Sequence, residues 1–144
     1  LVNDWKYKNF SKYKEAIRKI QSHGVTVNGC FVIGLDGHDE NIFDQVFEFV
    51  KETELYEVQI TILTTFPGTP LYLRLKDQGR LLEQEAWTKC TLFDLNFEPL
   101  NMSQEALAGG FKTLANKLYD DDFTKWRRNN FKKYIRNSSI KKGD

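Results

Sequence analysis

Two short segments hold the residues best suited to chemistry: G-C-F-V-I-G-L-D-G at residues 29–37 and F-P-G-T-P-L-Y at residues 66–72. Neither sets a nucleophile beside a base. What they offer is backbone, because glycine lets a flat ligand approach main-chain N–H and C=O groups closely. Val32 and Ile33 add apolar contact and Gly34 opens the approach. The pattern is not G-x-G-x-x-G, so a dinucleotide fingerprint is absent. In the second segment Pro67-Gly68 signals a turn, Thr69 can cap a helix and Pro70 suits its first position. Each segment also has a plainer reading. Gly34 can simply end a buried strand, and two prolines stiffen any strand-to-helix turn.

The other reactive residues are scattered. No Ser-His-Asp set, H-E-x-x-H or Walker motif is present. Cys30 and Cys90 stand far apart with no C-x-x-C spacing, which excludes a local cysteine metal site. Free, mostly buried thiols in a reducing compartment are the expectation, with a single disulfide as the alternative. His23 falls in the last turn of a helix, where a cation suits the dipole. His38 reads as a solvated loop histidine, with contact to a substrate as the alternative. Tyr72, Arg74 and Arg80 follow the proline turn, and Arg80 is expected in a surface salt bridge.

The elements that must position these residues follow from periodicity. Ser11 can cap a helix whose apolar face is Tyr13, Ala16, Ile17 and Ile20, and Gly24 ends it. Residues 25–34 are β-branched and apolar, which predicts a strand buried on both faces, as in a parallel sheet. Asp39 is the expected cap of a helix through Thr53, with Ile42, Val46, Phe49 and Val50 inward. Residues 58–65 predict a second strand, completing a βαβ unit with parallel strands. A short helix follows Pro70 and closes at Gly79. The alternation over residues 91–97 predicts another strand. Ser103 caps a helix to about Tyr119, weakened at Gly109-Gly110 by roughly 1 kcal/mol per glycine. After D-D-D at 120–122, residues 123–142 carry eight Lys or Arg and no acid, with Phe123, Trp126, Phe131, Tyr134 and Ile135 at helical spacing. This basic amphipathic helix is expected to lay its aromatic face on the domain and leave its charges in water; docking on nucleic acid or a membrane surface is the alternative.

The 144 residues suffice for one domain with a core, and 40% apolar with 28% charged residues is ordinary for a globular protein. Aromatic residues are abundant at 14%, so much area can be buried per residue. A net charge of +1 gives no global electrostatic case for nucleic acid. No apolar run approaches the roughly 20 residues of a membrane span, and no secretory leader opens the chain. A cytoplasmic location is expected. The chain begins at Leu1 and its one methionine is Met102, so it reads as a fragment or a processed product.

Taken together, V-N-G-C-F-V-I-G-L-D-G-H-D-E-N-I-F and Q-I-T-I-L-T-T-F-P-G-T-P-L-Y-L-R-L-K-D-Q-G-R-L resemble strands five and six of the radical S-adenosylmethionine (SAM) partial barrel. The subfamily most resembled has an N-terminal cobalamin-binding domain. Trp87, F-E-P-L-N-M-S and the helix ending K-L-Y resemble that group's C-terminal extension, so the likeness spans roughly residues 10–135. It implies an α/β fold: residues 1–82 as the C-terminal portion of a partial (β/α) barrel, and residues 83–144 as an α-rich extension. In the family a three-cysteine loop holds a [4Fe-4S] cluster that binds and cleaves SAM, and the cofactor carries the hard chemistry. By resemblance, Val32, Ile33 and Gly34 line the adenosine side of the SAM site, Leu63 and Thr64 lie near the adenine, and Pro67 and Gly68 shape the loop beyond. The C-x-x-x-C-x-x-C loop is missing here, Cys30 stands where glycine is usual, and the glutamate that often follows Gly34 is replaced by Asp36, Asp39 and Glu40 nearby. Cluster ligands and any cobalamin domain are therefore expected outside this chain, which alone should be inactive. The implied partners are the rest of the polypeptide and a small-molecule substrate, and the implied reaction of the intact enzyme is methylation or rearrangement of an unreactive carbon. A non-catalytic module using helix 123–142, and another βαβ enzyme with a small-molecule site at the same strand ends, are the alternatives.

Overall fold

The computed structural model describes residues 10–140. In chain order it contains helix α1 (Phe10–Ser22), strand β1 (Asn28–Ile33), α2 (Ile42–Thr53), β2 (Glu57–Ile62), α3 (Pro70–Asp77), a 3-10 turn (Trp87–Lys89), α4 (Gln104–Leu118) and α5 (Asp121–Ile140). The Ser11 side chain and residues 141 and 142 of the expected basic helix lie outside the described residues.

β1 and β2 are parallel and pair from Asn28 with Glu57 through Ile33 with Ile62. Among the described residues they form a two-stranded sheet. The expected mixed α/β class and the βαβ unit are thus present. The two faces of the sheet differ. Phe31 and Ile33 of β1, with Val58, Ile60 and Ile62 of β2, join the core beneath α2 and α4. Asn28, Cys30 and Val32 point the other way, beside Glu57, Gln59 and Thr61. The prediction that β1 is buried on both faces fails here: Cys30 is exposed and Val32 is 45% exposed. The β-branched residues of β1 satisfy strand propensity on both faces, but among the described residues helices cover only one of them.

One apolar cluster joins the early and late parts of the chain. Ile33, Val50 and Ile60 pack with Phe97, Leu107 and Leu114, all essentially inaccessible. Each such side chain contributes about 1.5–3 kcal/mol on burial. α4 approaches α2 so closely that a Cβ at Gly110 would lie 2.2 Å from the Phe43 ring. That glycine costs helix propensity and permits the contact.

Local capping explains where most helices begin. Thr69 Oγ1 accepts from the Tyr72 N–H at 3.2 Å, and Ser103 Oγ from Ala106 N–H at 3.0 Å. Asp120 Oδ1 accepts from the N–H groups of Asp122 and Phe123 and so starts α5. Asp39 does not cap α2 as predicted. Its Oδ1 takes the Asn41 N–H at 3.0 Å, forming a turn ahead of a helix that begins at Ile42. The strand predicted over 91–97 is also absent; only Leu81 and Phe97 make an antiparallel bridge. Thr91 Oγ1 accepts from the N–H groups of Phe93 and Asp94, curling the chain before it can extend.

α5 packs inward through its aromatic face as expected, with Phe123 against Phe47 and Phe131 against Tyr56, but it buries polar groups there as well. Arg127 is 1% exposed, and its guanidinium donates to the carbonyls of Leu55, Tyr56 and Leu118. Asn130 and the Tyr134 hydroxyl donate to the two carboxylate oxygens of Glu54. Phe131 is buried, whereas Trp126 and Ile135 are about two-fifths exposed. Among the described residues no helix is long and apolar enough to cross a membrane.

Candidate functional site

Parallel pairing brings both glycine-bearing segments to one end of the sheet. The Leu63 N–H donates to the Ile33 carbonyl at 2.8 Å, and beyond that bond the two chains part. β1 turns at Gly34, whose φ of +100° is the region that favours glycine. A Cβ there would meet Phe97 at 3.2 Å and Leu107 at 3.3 Å. Gly34 is thus fixed both by its backbone and by the residues packed over it.

The turn after Gly34 is held by His38. Its Nδ1 accepts from the N–H groups of Gly34 and Leu35, each at 3.3 Å, and its own N–H donates to the Leu35 carbonyl at 2.8 Å. Burial pushes the His38 pKa below its ordinary value, and the charge of Asp39 works the other way. The reading of His38 as a solvated loop histidine is therefore corrected: it is half-buried and bonded to its own turn.

Asp36, in the same turn, meets Arg74 of α3 at 2.7 Å and Arg80 at 2.8 Å. Burial opposes the Asp36 charge, but the hydrogen bonds and charges of Arg80 and Arg74 outweigh it and hold the carboxyl below 3.8. The Arg80 side chain is only 12% exposed, so this is not the surface salt bridge predicted. Arg80 Nε also donates to the Glu98 carbonyl, and Asn101 donates to the Asp36 carbonyl, which ties the turn to the later segment.

That segment closes the far edge of β2. The Ile62 N–H donates to the Leu92 carbonyl at 2.8 Å. The Thr64 hydroxyl donates to the Thr91 carbonyl at 2.7 Å. Buried Asn96 grips Thr65: its Oδ1 accepts from the Thr65 N–H and hydroxyl, and its Nδ2 donates to the Thr65 carbonyl.

The seven predicted site residues thus occupy different environments. Val32 lies on the open face of the sheet. Ile33 points wholly into the core, and Gly34 is buried beside it. Leu63 is half-buried and Thr64 buried. Pro67 is half-buried and Gly68 exposed, in a turn where Thr69 donates to the Phe66 carbonyl. Residues 32–34 and 63–64 are brought together by the Ile33–Leu63 bond. Leu35 and Phe66 add exposed apolar groups to the same end, at 42% and 40%.

The surroundings offer binding and orientation rather than proton transfer. Among the described residues no group of His, Cys, Asp and Glu could hold a metal ion. Both cysteines are free; Cys90 is half-buried, but Cys30 is exposed, against the expectation of buried thiols. His23 ends α1 as predicted, its Nδ1 2.7 Å from the Lys19 carbonyl oxygen. Sequence reasoning missed the roles of His38, Asn96 and the Asp36–Arg74–Arg80 set. For Asn96 a signal existed: an amide inside an otherwise apolar run needs a partner if buried.

Several known proteins are similar to this chain. A bacteriochlorophyllide d C-12(1)-methyltransferase from Chlorobaculum tepidum is 27% identical over 107 residues, covering 74% of this chain and 23% of that protein. A hopanoid C-2 methylase from Rhodopseudomonas palustris is 30% identical over 71 residues, 49% of this chain and 14% of that protein. An uncharacterized methyltransferase from a Synechocystis species is 26% identical over 106 residues, 74% of this chain and 20% of that protein. The chain therefore spans less than a quarter of the length of these relatives. Residues 69–143 match the profile of the family described as "Domain of unknown function (DUF4070)". These residues are more than half of the sequence, and the chain belongs to the DUF4070 family.

Proposed function

We propose that this chain is the C-terminal part of a radical SAM methyltransferase, with β1, β2 and their turns forming the adenosine side of the SAM site. The observation that carries this reading is the parallel register of β1 and β2, which sets Gly34 and the Pro67–Gly68 turn at one end of an otherwise open sheet face. Ligands of parallel α/β folds sit at the C-terminal ends of their strands. The relatives' names support the chemistry, since they describe methyl transfer to carbon positions.

The residues present fit an adenosine group. Half-exposed Val32 and the exposed Leu35 and Phe66 offer apolar area to a flat ring, while Thr64 and Thr65 have their polar groups engaged internally. The described residues do not fit a [4Fe-4S] cluster, because three thiolates are required and only Cys30 and Cys90 exist. Its ligands belong to another part of the protein, as would a cobalamin-binding domain. When bound to a reduced cluster, SAM supplies radical chemistry at an unreactive carbon. This chain's own part is to seat the adenosine on Val32 and Leu63 and, through the turn at Gly34, to keep that wall in place. Residues 1–82 are the share of a partial barrel, and 83–144 the extension that braces it through Asn96, Asn101 and the Glu98 carbonyl that Arg80 reaches.

After anaerobic supply of iron and sulfide, the natural protein that carries this sequence should cleave SAM when reduced, and the 144-residue chain alone should not. Failure of the whole protein to bind or cleave SAM under those conditions would refute the proposal.

A further inference from the structure

We infer that His38 is a positioning residue for the proposed ligand wall: as a neutral imidazole protonated on Nε2, it holds the turn that follows β1 in its binding-competent form. The inference rests on the proposed function for the identity of the ligand, and on the geometry of the turn for everything else.

The tautomer follows from the donors. The Gly34 and Leu35 N–H groups both point at Nδ1, so Nδ1 must be an acceptor and the proton sits on Nε2. Without that acceptor, the part-buried Gly34 N–H and the more exposed Leu35 N–H would both lack their partner in the turn. The two amides belong to the segment that carries Val32, Gly34 and Leu35. A second feature makes the device sensitive rather than merely structural. Protonating Nδ1 turns an acceptor into a donor that faces two donors, and both bonds are lost at once. The charged groups around the ring are few. Asp39 follows it in the chain, and Asp36 in the same turn is engaged by Arg74 of α3 and by Arg80. Because burial lowers the folded pKa, the stabilisation that neutral His38 gives is fully present above 6.5. It is lost as pH falls from that value to the folded pKa.

The test uses the natural protein that carries this sequence and reads two quantities against pH. Hydrogen exchange of peptides spanning residues 31–40, corrected for intrinsic rate, reports the turn. Equilibrium binding of SAM reports the wall. Above pH 7 the turn should be protected, and protection should fall as His38 titrates. The SAM dissociation constant should rise in step, about tenfold if the ordered turn drops to about a tenth of the population. His38→Asn places Oδ1 where Nδ1 stood; it should keep protection and affinity and remove their pH dependence. His38→Phe should lose both at every pH. Protection that ignores pH, or that survives in His38→Phe, overturns the inference. Titrating protection with SAM affinity that does not change severs the turn from the ligand and overturns the positioning role while leaving the proposed function intact. Absence of SAM binding at any pH overturns both.

Discussion

Asp36 shows how much one side chain can connect. Its carboxylate joins Arg74 on α3 and Arg80 before the extension, and its carbonyl takes the Asn101 side chain. Asp36→Asn keeps the shape and removes the charge, so it should lower stability by about 1–3 kcal/mol. A urea denaturation midpoint equal to that of the parent would contradict this. The pH dependence has a definite sign. A carboxyl held below 3.8 in the folded state adds stability that is present above that value and lost as pH falls through the folded pKa. The gap between parent and Asp36→Asn should therefore be constant near neutrality and shrink below pH 3.8. Composition and spacing could suggest that Arg80 meets a carboxylate. They could not say which one, because the two residues meet only after βα folding brings the turn beside α3. His38 was harder still, since its partners are main-chain N–H groups that carry no residue-type signal.

Elements tell a different story. The capped helix starts at Thr69 and Ser103 were legible, because a hydroxyl before a helical period has a local purpose. The two parallel strands were legible from β-branched runs separated by a helix-length segment. Their one-sided burial was not, since apolar character alone does not say how many layers surround a strand. The failed strand at 91–97 has a local cause in Thr91, whose hydroxyl competes with extension. α5 was misread in part because an arginine was assumed to be solvated. Arg127 instead reaches the loop after α2 at Leu55 and Tyr56 and the end of α4 at Leu118, where carbonyls without helical partners await a forked donor. The glycine pair of α4 gives a sharp prediction at this scale. Gly109 has open space around a would-be Cβ, so Gly109→Ala should stabilise by about 0.5–1 kcal/mol. Gly110 touches Phe43, so Gly110→Ala gains the same propensity but should be net destabilising by about 1–3 kcal/mol. Thermal midpoints that moved in the same direction for both would show that the α2–α4 contact is not as close as described.

At the scale of the whole molecule, an exposed sheet face beside a well-packed helical face is the feature that most needs a function. The later part of the chain has made its commitments to the core: Phe97, Leu107 and Leu114 lie under the strands, Leu92 pairs with the end of β2 and Asn96 grips Thr65 beyond it. What stays open is the face of Val32 and the rim of Leu35 and Phe66. The sequence pointed to this end of the sheet through its glycines and prolines, while the resemblance supplied the cofactor that would sit there. The direct measurement is the affinity for SAM of the natural protein carrying Val32→Glu, alongside Lys132→Glu on the exposed side of α5 as a control for added charge. If the adenosine ring rests on Val32, a buried carboxylate should weaken binding by about tenfold or more, equivalent to at least about 1.4 kcal/mol, and the control should bind as the parent does. Parent-like affinity in a folded Val32→Glu protein would place the ligand elsewhere and contradict the assignment of this face.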